Sequence, residues 1–152
     1  MKNILISIIT FLSVTISIGQ TVLTVRVIGF KNGDTVFGIA SLNTQTTLRL
    51  AEVDCPEKNQ LFGTKAKQFT SDQAYLKTVK YVVTDIDRYG RSIAMIYYDN
   101  NKYLSAEIIK AGMGWHYKKY SKSIELAEIE NDAKKEKRGL WIDESPKSPS
   151  KW

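Results

Sequence analysis

Three short segments of the chain carry the residue types that could do chemistry: Asn32-Gly33-Asp34-Thr35, Leu48-Arg49-Leu50-Ala51-Glu52-Val53-Asp54-Cys55-Pro56-Glu57 and Asp87-Arg88-Tyr89-Gly90-Arg91. Carboxylate oxygens such as those of Asp34 and Asp54 are what a hard cation needs, and Ca²⁺ fills its remaining positions with carbonyls and water. The planar fork of an arginine such as Arg49 or Arg91 matches a phosphate. A cation beside two arginines is therefore a site for a phosphodiester. Positive groups aimed at the oxygens that gain charge during hydrolysis stabilise that state more than the ground state. A spare carboxylate nearby can orient or deprotonate water.

Taken singly, each residue also has a structural reading. Asp34 after Gly33 is ordinary turn chemistry. Arg49 between two leucines could pair inward with an acid or point out of an alternating strand. Asp54 and Glu57 could be solvated loop carboxylates, and Arg88 and Arg91 solvated flanks of a Tyr-Gly turn. The combination is what points to a site. The lone Cys55 gives no internal disulfide. A Cys/His nucleophile has only His116 to draw on, far away in sequence and set among aromatics. One histidine and one cysteine are also too few for a zinc cluster.

Short strands must position these segments. Leu23, Val25 and Val27 alternate with Thr24 and Arg26, the period of a half-buried strand. Lys31-Asn32-Gly33-Asp34 is a turn, Thr35 to Ile39 a second strand and Thr46 to Leu50 a third. Pro56 keeps the following loop extended. A helix is expected from about Phe62 to Lys77, with Phe62, Ala66, Phe69 and Leu76 on its apolar face. Strands four and five cover Thr78–Asp85 and Ser92–Tyr98 and flank the Asp87–Arg91 turn. Leu104, Ile108 and Ala111 mark a second helix ended by Gly112. A third runs from about Ile124 to Arg138, with Leu126, Ile129 and Ala133 buried and Gly139 as its stop. The fold class is mainly β with α: a five-stranded OB-fold barrel plus three helices.

The ends stand apart from this domain. Lys2 precedes an apolar run from Ile4 to Ile18, with small residues at Ser17 and Gly19. That is the pattern of a signal peptide over residues 1–19, too short and too rich in Ser and Thr for a bilayer span. The expected product is secreted or periplasmic and free of the membrane after cleavage. The domain then covers 20–142, and 143–152, rich in Pro and Ser, reads as a flexible tail. Formal net charge is +6, and without Lys2 it is +5. Such a surface attracts polyanions without saying which.

In order and spacing, the three segments resemble the staphylococcal nuclease (thermonuclease) family. The match is Gly33-Asp34-Thr35, then Arg49-Leu50 with Val53-Asp54-Cys55-Pro56-Glu57, then Asp87-Arg88-Tyr89-Gly90-Arg91. It continues through Gly112-Met113-Gly114-Trp115-His116-Tyr117 and Lys137-Arg138-Gly139-Leu140-Trp141, so it spans about Val22 to Trp141. The resemblance implies a calcium-dependent, sugar-nonspecific nuclease acting on DNA and RNA as a monomer. Asp34, Asp54 and the backbone carbonyl of Cys55 would ligate Ca²⁺. Glu57 would act on the attacking water, while Arg49 and Arg91 would hold the phosphate. Arg88 and Tyr89 would lie against the substrate's phosphates. The implied chemistry is in-line attack of metal-activated water with the 5′-oxygen leaving, giving 3′-phosphate ends.

The sequence also departs from the family's pattern. Asn32 stands where the best-known member has an aspartate, and the connection Lys58-Asn59-Gln60-Leu61 is shorter. Tyr117 or Tyr120 could wall the nucleotide site. Trp115, Tyr117 and Trp141 otherwise read as core and interface fillers. Lys134, Lys135, Lys137 and Arg138 read as a solvated helix face balancing the C-terminal dipole. The alternative function is a non-catalytic OB module that holds single-stranded nucleic acid. Retention of all five of Asp34, Arg49, Asp54, Glu57 and Arg91 favours catalysis. A structural barrel without a nucleic-acid partner is the third reading.

Overall fold

Alternation makes the barrel. In β1 (Leu23–Phe30) Val25 and Val27 turn inward and are buried, while Leu23, Thr24 and Arg26 stay exposed. The computed structural model describes residues 19–151. The expected leader lies outside the described residues but for Gly19. The chain continues through β2 (Thr35–Ile39), β3 (Gln45–Leu50), the two-residue β4 (Val53–Asp54), α1 (Gly63–Ala74), β5 (Thr78–Ile86) and β6 (Ser92–Tyr98). It ends with β7 (Lys102–Tyr103), α2 (Leu104–Lys110), β8 (Trp115–His116) and α3 (Ile124–Lys135). Among the described residues no helix is long and apolar enough to cross a membrane.

The five long strands pair in the order β3-β2-β1-β5-β6, and β3 also pairs with β6, which closes the sheet into a barrel. The closing pair is parallel, with Leu48 opposite Ser92, Arg49 opposite Ile93 and Leu50 opposite Ala94. Closure removes the free edges and fixes the phase of every strand. Leu48, Leu50, Ala94 and Ile96 point into the shared core, which α2 caps with Leu104, Ile108 and Ile109. The expected five strands and three helices are all present, and Gly112 follows α2 at φ 68°.

Two helices differ from the sequence-based expectation. The buried face of α1 is Gly63, Ala66, Thr70 and Ala74, whereas Phe69 is half-buried and Leu76 lies beyond the helix, exposed at φ 59°. Small residues let the α1 backbone approach the barrel closely, so large ones are pushed to its flanks. Helix α3 stops at Lys135 rather than Arg138. The amide of Arg138 donates to Ala133 O and that of Lys137 to Lys134 O, with Lys137 at φ 52°. This is a Schellman closure with lysine where glycine is usual, so Gly139 begins the next turn instead of ending the helix.

Helix α3 also carries a buried acid. Glu130 is 2% exposed, and its Oε2 accepts from Lys118 Nζ at 2.7 Å and Lys134 Nζ at 2.9 Å. Its Oε1 accepts from the His116 amide at 3.1 Å. Because β8 pairs with β4 through Val53–His116 and Asp54–Trp115, Glu130 braces the strand that carries Asp54. Burial works against the charged form, but hydrogen bonds from Lys118 and Lys134 outweigh it and hold the carboxyl below its ordinary value. A depressed carboxylate stabilises the fold above its unfolded value of 4.5 and loses that contribution as pH falls below it. Glu130→Ala is expected to cost about 1–3 kcal/mol in urea melts at pH 7, because the buried His116 amide loses its acceptor. The gap from wild type should narrow as the melts are taken below pH 4.5; an equal gap at pH 3 would contradict this account.

Candidate active site

The register of β2 on β3 sets Thr35 opposite Arg49, and the Leu50 amide donates to Asp34 O at 2.8 Å. Asp34 and Arg49 are therefore neighbours by strand pairing alone. Past β3 the chain turns through Ala51-Glu52, with Glu52 at φ 65°. The turn returns Asp54 to the same place.

Arg49 is held on four sides. Its Nη1 donates to Leu50 O at 3.3 Å and Val53 O at 3.0 Å, and lies 3.0 Å from Asp34 Oδ2. Its Nη2 donates to Asp54 Oδ1 at 3.1 Å. Asp34 is itself 4% exposed and fixed by Thr35 Oγ1 at 3.1 Å and the Cys55 amide at 2.8 Å. Cys55 is fully buried, and a β-carbon on Gly33 would lie 3.0 Å from its Cβ and Sγ. The two segments pack so closely that a side chain at Gly33 would press on Cys55 and Ala66. Burial pushes the Cys55 thiol well above its ordinary range, so it is a packing residue and not a nucleophile.

Glu57 follows on an exposed loop, its Oε2 accepting from Asn32 Nδ2 at 2.9 Å. The short connection to α1 is closed by two successive turns, Gln60 N to Glu57 O and Gly63 N to Gln60 O. A β-carbon on Gly63 would fall 1.9 Å from Glu57 O, so the loop can close only over glycine.

Across the groove, Asp87 organises the β5–β6 turn. Its Oδ1 accepts from the amides of Tyr89 and Arg91, each at 2.9 Å, and its Oδ2 from Arg91 Nε at 2.7 Å. Arg91 is thus aimed by its edge nitrogen, and among the described residues neither Nη group has a partner. The guanidinium centres of Arg88 and Arg91 lie 4.9 and 5.6 Å from the Tyr89 ring centroid, which spaces the two cations.

Asp34, Arg49, Asp54, Glu57, Arg88, Tyr89 and Arg91 all line one groove of about 590 Å³, with Cys55 directly behind it. Tyr117 and Tyr120, their rings edge to face at 5.0 Å, stand on its wall. Tyr117 is therefore a groove residue and not a core filler. Trp115 and Trp141 do pack on each other, at 5.8 Å. Lys134, Lys135 and Arg138 are spent on Glu130, Asp132 and Glu136, away from the groove.

The donor set fits a hard divalent cation. Among the described residues, no group of three His, Cys, Asp or Glu side chains gathers on one point. Two carboxylates must be completed by carbonyl and water oxygens, as suits Ca²⁺ or Mg²⁺ better than zinc. Burial pushes the Asp54 carboxyl up to about 6; Arg49 opposes the shift, and the Asp34 and Glu57 carboxylates add to it. An excess of negative charge that one arginine does not neutralise is what a cation relieves.

Two positioning residues escaped the sequence reading. Glu52 accepts from Tyr103 Oη at 2.9 Å and Ser121 Oγ at 2.6 Å, which clamps the strained turn before Asp54. Its partners are 51 and 69 residues away, so no local signal exists. Asp87 had one: an Asp three residues before a Gly is a turn pattern whose side chain caps backbone amides.

Carboxylates that fit a cation, set beside arginines that fit a phosphate on an OB barrel, define a phosphodiester hydrolase. The chain belongs to the staphylococcal nuclease family: the family profile described as "Staphylococcal nuclease homologue" matches residues 47–143. It is 36% identical over 151 residues to an uncharacterized endonuclease of Haemophilus influenzae, covering 99% of this chain and 84% of that one. It is 32% identical over 138 residues to the micrococcal nuclease of Shigella flexneri, covering 84% and 78%. A staphylococcal-like nuclease of Arabidopsis thaliana is 34% identical over 127 residues, covering 84% of this chain and 37% of the plant protein.

Asp87→Ala is expected to release Arg91 and the Tyr89 amide together, lowering kcat/KM on an oligonucleotide by about tenfold to a hundredfold. Thermal stability should change little, because the turn is exposed. Unchanged kcat/KM would show that Arg91 needs no such aim.

Proposed function

We propose that this nuclease is calcium-dependent and sugar-nonspecific, cutting DNA and RNA by in-line attack of water with the 5′-oxygen leaving and 3′-phosphate ends as products. The observation that carries the reading is the convergence of Asp34, Asp54, Glu57, Arg49 and Arg91 on one groove.

Asp34, Asp54 and the Cys55 carbonyl would hold the ion. A bound calcium supplies fixed positive charge beside the phosphate and makes nearby water easier to deprotonate. Glu57 takes the proton of the attacking water or fixes its position. Its Oε2 is tied to Asn32, so Oε1 is the oxygen left for that task. Arg49 and Arg91 approach the phosphate from opposite walls and neutralise charge as the fifth oxygen adds to phosphorus. Arg88 and Tyr89 guide the flanking backbone. Export as a monomer, following removal of residues 1–19, completes the proposal and rests on the leader-like composition of that segment.

Digestion of an end-labelled oligonucleotide with Ca²⁺, with Mg²⁺ and with excess chelator tests the reaction. Cleavage with Ca²⁺, loss of cleavage with chelator and 3′-phosphate ends are the expected results; full activity in chelator would refute it. Glu57→Gln should lower kcat by about 10²–10⁴-fold with KM little changed. A variant as fast as wild type removes Glu57 from the chemistry.

A further inference from the structure

The groove poses an electrostatic problem. Six carboxylates line it (Asp34, Glu52, Asp54, Glu57, Asp85 and Asp87) against four basic side chains. The side chains of such a groove alone give a polyanion little net attraction, and basic groups beside it add to what a bound cation supplies.

A second recess, of about 260 Å³, supplies that charge. Lys31, Lys58 and Lys67 line it together with the hydroxyls of Thr64 and Ser71, and no carboxylate does. The three lysines are exposed, and none of them makes an ion pair among the described residues. That sets them apart from Lys77, Lys118, Lys134 and Lys135, each of which is matched to an acid. The nearby Asp72 is engaged by Gln68 Nε2 at 2.7 Å and lies outside the recess.

The recess and the groove are contiguous. Asn32 lines both, and the adjacent residues Glu57 and Lys58 face one each. The wall between them is therefore a neutral amide bonded to Glu57. Past Glu57, no carboxylate lines the recess.

We infer that the Lys31–Lys58–Lys67 recess is a second phosphate-binding site, which takes the backbone of the same nucleic-acid strand beyond the phosphate held in the groove. The inference rests on the groove being the cleavage site. The lysines present point charges and the hydroxyls present donors, with no ring to stack a base. The site therefore reads backbone and not sequence. Short substrates that end at the scissile phosphate gain nothing from it.

The test compares the triple variant Lys31→Gln/Lys58→Gln/Lys67→Gln with a charge-matched control, Lys80→Gln/Lys102→Gln/Lys110→Gln, whose lysines line neither groove nor recess. Binding of a labelled 12-nucleotide single strand is measured by anisotropy in chelator, so no cutting intervenes. Hydrolysis of a p-nitrophenyl phosphodiester of thymidine, which has one scissile phosphate, is measured with Ca²⁺. In the recess variant, strand affinity should fall about tenfold near physiological salt, and the slope of log affinity on log salt should shrink by about 2. Diester hydrolysis should match wild type, and the triple Lys→Arg variant should restore strand binding. Affinity and slope equal to the control's would overturn the recess. Failure of wild type to hydrolyse the diester would instead overturn the proposed function, and the binding arm would still decide the recess.

Discussion

Like charges at the mouth of this barrel are kept together by one guanidinium. Asp34 and Asp54 pair with the same arginine, with Glu57 nearby on the exposed loop, and burial leaves little water around the two aspartates. Arg49 touches both aspartates, yet Asp54 still sits well above its ordinary range. For a carboxyl shifted upward the ionised form costs stability, and that cost grows as pH rises from 3.8 through about 6. The ion-free protein therefore carries electrostatic strain at neutral pH. A cation that binds only the folded state relieves it and stabilises the fold by mass action.

Strain of this kind persists only where the surroundings over-determine the geometry. Two kinds of support do so. Backbone constraints come from the closing β3–β6 pair, which sets Arg49 against Ile93, and from the Cys55 amide on Asp34. Side-chain ties come from far away in sequence: Glu52 to Tyr103 and Ser121, and Glu130 to the His116 amide. Ser121 links two of these ties. Its hydroxyl donates to Glu52, so His116 Nε2 must be the donor in the 2.8 Å contact with Ser121 Oγ. That makes His116 the neutral Nε2–H tautomer. Burial lowers its proton affinity accordingly, so the sole histidine of the chain is a brace and not an acid–base catalyst.

Period and punctuation made the long elements legible in the sequence. The strands Thr35–Ile39 and Ser92–Tyr98 stand where alternation and turn residues put them, because a half-buried strand must alternate. That Asp34, Arg49, Asp54, Glu57 and Arg91 gather was legible as well, since their types suit cation and phosphate chemistry and sit in three compact segments. Other features depend on contacts across the fold. The two-residue strands Val53–Asp54 and Trp115–His116 are too short to show a period and exist only because they pair with each other. The small-residue face of α1 inverts the usual apolar stripe, because there closeness of approach matters more than side-chain bulk. Lys137 in a left-handed conformation defeats the glycine rule that set the expected end of α3, since Ala133 and Lys134 carbonyls hold it there.

The two arginines of the groove are prepared differently, and the difference bears on the proposed chemistry. Arg91 is tied at Nε by an acid that belongs to its own turn, so its outer nitrogens can take a phosphate with no bond broken. Arg49 spends both Nη groups on Asp34 and Asp54, the same oxygens that a cation would draw on. Its bonds to the Leu50 and Val53 carbonyls do not compete with a cation in that way. If the ion takes the carboxylates, those carbonyls keep the guanidinium in place while its released donors turn to the phosphate. With the proposed ion in place, Arg91 would already have its outer nitrogens free for a phosphate, whereas Arg49 would gain free donors only as the two aspartates turned to the ion.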